Sequence, residues 1–159
     1  MDFLEHVFAA SEATWCATTP EAVDLESLQH SVIDTAMIQA LLTHRGIDSE
    51  IRHFDRCDQL VFIYRDTRFF IDHYKHDTVR NYVEIIAAWS AKDVWTDLEL
   101  ILRANRINVH ERLVRASFVP SERVFALNIA IALDSLSALD HRLDTYLNAI
   151  LSSAERKYS

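Results

Sequence analysis

The sequence predicts an α+β fold in which an antiparallel sheet of about five to six strands is flanked by helices. Three observations carry that expectation. The hydrophobic period changes from helical to alternating near residue 50 and returns to helical near residue 91. Two stretches read as strand pairs around short polar turns. The last twenty or so residues form one strongly amphipathic helix. The expected order is α-α-β-β-β-(β)-α-β-β-α, and helices packed on a sheet are the usual packing solution for such an order. At 159 residues the chain is expected to be a single domain. Residues 1–30 would form a helical extension and residues 31–159 the core.

The first segment, Phe3 to Trp15, places Phe3, Leu4, Val7 and Phe8 at helical spacing. Thr18-Thr19-Pro20-Glu21 interrupts it and suits the start of a new element. A second helix is expected over Ser31 to Arg45, with Ile33, Met37, Ile38, Leu41 and Leu42 as its apolar stripe. Gly46, the one glycine in the chain, follows where a left-handed cap needs a residue without a Cβ.

Beyond Gly46, IDSEIRHF alternates loosely, DRCD reads as a turn, and QLVFIY is rich in β-branched and aromatic residues. RDT is a short connection to RFFIDHY. In QLVFIY, Leu60, Phe62 and Tyr64 face one way and Val61 and Ile63 the other. TVRNYVEIIAAW continues as a strand, with Val83, Ile85 and Ala87 on one face, although its Ala, Glu and Ile fit a helix equally. Ala91 to Asn105 is expected to be a helix with Val94, Leu98, Ile101 and Leu102 on one side and Ser90 or Asp93 as cap. RLVRASFV and RVFALNIAIAL, around Pro120-Ser121-Glu122, form a hairpin. Ser135 to Arg156 closes the chain, burying Leu136, Leu139, Leu143, Leu147, Ile150 and Leu151.

Half of the residues are hydrophobic and a quarter charged, a globular composition. The longest apolar run, Val124 to Leu133, is far below the roughly 20 residues of a spanning helix. Acids stand where a signal peptide would carry bases, and Cys16 and Cys57 form no motif, so a cytoplasmic protein is expected. The net charge of −8 is concentrated in residues 1–50, which hold nine acids and one base. That acidity disfavours nucleic acid and anionic membranes as partners.

Several strings resemble the YbjN-like family of bacterial sensory-transduction regulators, which shares its architecture with type III secretion chaperones. They are LLTHRGI, the unit DQLVFIYRDTRFFIDHY, the tryptophan-ended EIIAAW, the helix closing LRANRIN, the hairpin ERLVRASFVPSERVFALNIAIAL and the final LDTYLNAILSSAE. The similarity spans residues 34–155. It implies a cytoplasmic protein-binding regulator or chaperone-like module, and dimerisation as in the chaperones. Ala104-Asn105 stands where many relatives have an aromatic–Asn pair, and the loop glycines usual in the family are missing.

No chemistry-bearing motif emerges. His73 and His76 share a helical face but diverge on the expected strand-to-turn, so they read as solvated turn histidines rather than metal ligands. Arg68–His73 and Arg103–His110 have the spacing of the RNase motif of helical HEPN domains, at the frequency chance supplies; Arg68 and His73 fall on opposite strand faces, and Arg103 and His110 straddle a helix end. Asp55 and Asp58 lie in turn-like sequence, where Asp bonds its own backbone. One glycine cannot build a phosphate loop. No catalytic, cofactor or metal residue is expected, and no cofactor.

Candidate partner-binding residues are Arg103, Arg106, Arg112 and Arg115, in a basic group that also includes Arg123, together with Asn105 and Asn108. The asparagines also suit a structural role at a helix end. The function expected is a non-enzymatic module that binds a client protein, as a homodimer. A small-ligand sensor or transcription-linked regulator on the same fold is the alternative, and an all-helical HEPN-like RNase or antitoxin partner a third.

Overall fold

The computed structural model describes residues 33–74 and 81–155, within the unit Ser31–Ser159. The helix expected over Phe3–Trp15, the Thr18–Glu21 break, Cys16 and His76 lie outside the described residues.

Helix α1 runs Thr35–His44 and is followed by strands β1 (Ser49–His53), β2 (Cys57–Tyr64), β3 (Thr67–Tyr74) and β4 (Asn81–Ser90). Helix α2 (Asp97–His110), the hairpin β5 (Arg115–Val119) and β6 (Val124–Leu133), and helix α3 (Leu136–Glu155) complete the order. The six strands form one sheet in the order β1-β2-β3-β4-β6-β5, with every neighbouring pair antiparallel. The expected α+β class and antiparallel sheet are present, and the sheet removes the all-helical reading.

Local chemistry explains the boundaries. The Asp34 side chain accepts the Met37 N–H at 2.8 Å and starts α1. At the other end Gly46 adopts φ +74°; its N–H reaches the Thr43 carbonyl and the Ile47 N–H the Leu42 carbonyl, each at 2.9 Å. This is the paired closure for which the glycine was expected. Arg65 and Asp66, at φ 48° and 60°, form the two-residue turn between β2 and β3. Both are non-glycine residues in the left-handed region a hairpin of this length demands.

The DRCD turn is shorter than expected, since Cys57 and Asp58 already belong to β2. β4 settles the ambiguity between strand and helix over TVRNYVEIIAAW. It pairs along its length with β6 and on its other side with β3. Val83, Ile85 and Ala87 are buried on one face and Ile86 and Ala88 on the other. A central strand buried on both sides explains why this stretch shows no clean alternation.

The core lies between α1, α3 and one face of the sheet. Leu60, Phe62, Phe69, Ile71, Val83, Ile85, Phe125, Leu127 and Ile129 meet Ile38 and Leu42 of α1 and Leu139, Leu143, Leu147 and Ile150 of α3. The Phe62 and Phe69 rings stack with centroids 5.7 Å apart. Arg45, at the end of α1, donates to the Asp140 carbonyl and carboxylate at 2.9 and 2.7 Å and also pairs with Asp144. α3 follows the expected stripe, except that Leu136 and Leu151 are only half-buried while Tyr146 is buried.

Candidate functional site

Three places gather polar or exposed apolar side chains beyond what the core needs. The first is a polar group beside the start of α1. His73, on the core-facing side of β3, is buried, and its Nδ1 lies 2.8 Å from Thr35 Oγ1. Thr35 Oγ1 also donates to Asp58 Oδ2 at 3.2 Å, and Asp58 Oδ1 lies 2.7 Å from His53 Nδ1. The sheet register builds this chain, because Asp58 stands opposite His73 on β3 and opposite His53 on β1.

With the Thr35 hydroxyl donating to the carboxylate, its oxygen accepts the His73 Nδ1–H, so each hydrogen of the relay has a destination. Burial holds the His73 imidazole below its ordinary range, against the opposing pull of Asp58 and Asp34. The expectation that His73 is a solvated turn histidine is therefore corrected: its odd-numbered register on β3 points it inward. Asp58 is likewise not a turn residue. It bonds side chains of α1 and β1, because the strand begins one residue before it.

The second place is the opposite face of the sheet. Gln59 Nε2 donates to Asp72 Oδ1 at 2.8 Å, Tyr74 Oη donates to Glu84 Oε2 at 3.0 Å, and Asn128 Nδ2 donates to Glu84 Oε1. Asp72 and Glu84 stand directly opposite each other on β3 and β4, and both are buried. Arg68 shares this face by strand alternation, so Arg68 and His73 diverge as the odd spacing implies. Among the described residues no group of three or more His, Cys, Asp or Glu side chains is arranged to hold a metal ion.

The third place is α2. Its start is fixed by Thr96, whose hydroxyl accepts the Glu99 N–H at 3.3 Å while Glu99 Oε2 accepts the Thr96 N–H at 2.8 Å. Those bonds hold the Glu99 carboxyl below the usual range. The helix thus begins at Asp97 and runs to His110, instead of spanning 91–105 with Ser90 or Asp93 as cap. Arg103 and His110 consequently share one helix and do not straddle its end.

α2 packs beside β5 through Leu100 and Ala104, which are buried, and the half-buried Ile107. The stripe expected on one side of this helix is its outer face. Leu98 is 65 % exposed, Leu102 58 %, Val109 77 % and Ile101 40 %, with Val94 just ahead at 78 %. The helix is apolar on two opposite sides, and the sheet covers only one.

The candidate partner-binding residues sort around this helix. Asn108 is a structural clamp: its Oδ1 accepts the Ala116 N–H at 2.7 Å and its Nδ2 donates to the Ala116 carbonyl at 2.9 Å. A side-chain amide thereby occupies part of the outer edge of β5. Arg115 donates to the Asn108 and Glu111 carbonyls at the end of α2. Arg123, at φ 52° in the β5–β6 turn, donates to the Trp95 carbonyl at 2.8 Å and pairs with Asp97. Arg103 lies 3.6 Å from the centre of the Trp95 ring. Arg106, Arg112 and Asn105 are exposed. The basic group is therefore not one surface. Three of its five arginines (Arg103, Arg115 and Arg123) serve the anchoring of α2, and Arg106 and Arg112 remain on the outside.

A shallow cleft of about 340 Å³ lies elsewhere, lined by Arg65, Thr67, Trp89, Asn148, Leu151 and Glu155 among others. Asn148 Oδ1 has no hydrogen-bond partner among the described residues.

An open six-stranded antiparallel sheet with its helices capping the core defines the class: an α+β domain. Solved structures with a similar fold include two. One is an uncharacterized protein from Methanothermobacter thermautotrophicus, with a TM-score of 0.59 and 14 % identity over 77 % of this chain and 92 % of that one. The other is YbjN from E. coli, described as "a putative transcription regulator", with a TM-score of 0.54 and 11 % identity over 81 % of this chain and 91 % of that one. The fold expected from the YbjN-like strings is thus the fold observed. By sequence, no protein family and no curated protein matches the chain. Among the described residues no helix is long and apolar enough to cross a membrane.

Proposed function

We propose that this chain is a non-enzymatic, regulator-like module that acts by holding a protein partner on the outward face of α2. The observation that carries the reading is the row Leu98, Ile101, Leu102 and Val109 exposed on a helix whose other side is already packed. Contiguous apolar surface rimmed by polar residues marks sites of protein association. The polar groups support the same reading, since the relay around Thr35 and the band around Glu84 bond one another across neighbouring elements and aim at no common point. The description of the E. coli structure as "a putative transcription regulator" fits a role exerted through partners.

Affinity capture on the tagged full-length chain, from native extract and from cells that also make an untagged copy, tests this. Recovery of one stoichiometric protein, lost with Leu102→Asp, is the expected outcome. A co-purified small molecule with no protein would replace this reading by a ligand sensor using the Arg65–Trp89–Asn148 cleft.

A further inference from the structure

We propose that the cleft at the end of α3 is a binding site for a small zwitterion, a free α-amino acid with an aromatic or branched apolar side chain. The site shares no residue with α2, so it stands or falls apart from the docking face. The cleft lies where three elements meet. The β2–β3 turn and the start of β3 bring Arg65 and Thr67, the end of β4 brings Trp89, and the last two turns of α3 bring Asn148, Leu151 and Glu155. The three α3 positions are spaced i, i+3 and i+7, so they line one side of the helix. Leu151, expected in the buried stripe, is half-buried and forms part of the cleft wall instead.

The fold leaves the polar walls of this cleft incomplete. Asn148 Oδ1 is buried without a hydrogen-bond partner among the described residues, and an unpaired buried acceptor costs stability. The last torsion of an asparagine is soft, so the amide can turn that oxygen toward a donor in the cleft. Arg65 lies against Tyr64, its guanidinium carbon 5.3 Å from the ring centre, and makes no ion pair among the described residues. Glu155 makes none there either, so the two opposite charges at this cleft do not neutralise each other.

A ligand that answers both must carry both charges. Its carboxylate meets the planar fork of Arg65, with the Thr67 hydroxyl alongside, and its ammonium meets Glu155 and Asn148 Oδ1. The Trp89 ring and Leu151 supply the apolar wall for its side chain. The volume of about 340 Å³ stands near the lower end of the roughly 300–1,000 Å³ range of ligand sites, which suits an amino acid and excludes a dinucleotide. A phosphate group would meet the Glu155 carboxylate with one arginine to offset it.

Nuclear magnetic resonance titration of the full-length chain with L-phenylalanine is the test, following the indole N–H of Trp89 and the side-chain amide of Asn148. Both signals are expected to shift and to saturate together, with a Kd of about 0.1–1 mM for so small a ligand in an open cleft. Phenethylamine, which lacks the carboxylate, and 3-phenylpropionate, which lacks the amine, should each bind at least tenfold more weakly. Arg65→Asn should weaken L-phenylalanine binding at least fivefold and leave phenethylamine unchanged, and Glu155→Gln should do the same with 3-phenylpropionate unchanged. Both residues are exposed, so the melting temperature of each variant should equal that of the parent. Asn148→Leu removes the unpaired oxygen and fills the cleft, and should raise the melting temperature while abolishing binding. No saturable shift at Trp89 up to about 10 mM would overturn the proposal. So would equal binding of the three compounds, or L-phenylalanine binding indifferent to both Arg65→Asn and Glu155→Gln. None of these results bears on protein capture through Leu102, which tests the docking face separately.

Discussion

Helices α2 and α3 carry similar apolar stripes in sequence and meet opposite fates. In α3 the stripe Leu139, Leu143, Leu147 and Ile150 is wholly buried against the sheet. In α2 the comparable row Leu98, Ile101, Leu102 and Val109 faces outward, and a second set, Leu100, Ala104 and Ile107, packs beside β5. Periodicity reports that a stripe exists, but it is silent on what covers it. The informative signal in α2 was the apolar content of both faces, which one sheet cannot satisfy. A helix with two apolar sides packed on one sheet leaves the other side at the surface of the domain.

The largest expected effect tests the buried member of the pair. Leu143→Asp places an unpaired carboxylate in the core and should destabilise the fold by about 4 kcal/mol. Thermal unfolding would show it, and an unchanged melting temperature would mean that α3 does not pack as described.

Asn108→Ala tests the attachment of α2 itself. It removes both bonds to the Ala116 backbone on the outer edge of β5. Loss of two part-buried hydrogen bonds should cost about 2 kcal/mol. Faster hydrogen exchange at Ala116 and through α2, with α3 little changed, is the pattern to look for. Uniform loosening of all the helices would mean that α2 is not anchored there separately.

These two residues also mark how far the sequence could be read. Gly46, the two hairpins and the face of α3 were legible, because each depends on a local requirement: a residue without a Cβ, a two- or four-residue turn, a 3.6-residue period. The boundaries of α2 were less so. Ser90, Asp93 and Thr96 are all competent caps, and only the pairing of Thr96 with Glu99 distinguishes the third. The inward turn of His73 was hidden because it depends on the register of β3 and on Thr35, thirty-eight residues away. A contact that joins the first turn of a helix to the third strand leaves no local pattern. The structural use of Asn108 was foreseen in kind, but its target on β5 was not.

The helix that borders the His73 relay provides a smaller effect. The folded-state pKa of His73 lies below the unfolded value of roughly 6.5, so below neutrality the unfolded chain binds more protons than the folded one. The stability this group contributes is complete above the unfolded value and is lost as pH falls toward the folded one. Denaturant titrations from pH 7.5 to about 5 should therefore show a decline that is shallower in His73→Gln, which cannot titrate. Equal slopes in the two proteins would show that buried His73 does not take up its proton with unfolding.

The smallest effect on stability is the one that most sharpens the contrast between the helices. Leu102 has the same side chain as Leu143 and a comparable place in its stripe, but it lies 58 % exposed where Leu143 is fully buried. Introducing the same carboxylate at Leu102 buries no charge, so the monomer should keep its stability to within about 0.5 kcal/mol. Melting at a concentration low enough to hold the chain monomeric measures this directly. A loss comparable to that of Leu143→Asp would place the outward row of α2 inside the core and close the docking face. If the melting temperature holds while association is lost, then one substitution at matched stripe positions separates a helix that builds the domain from a helix that presents it.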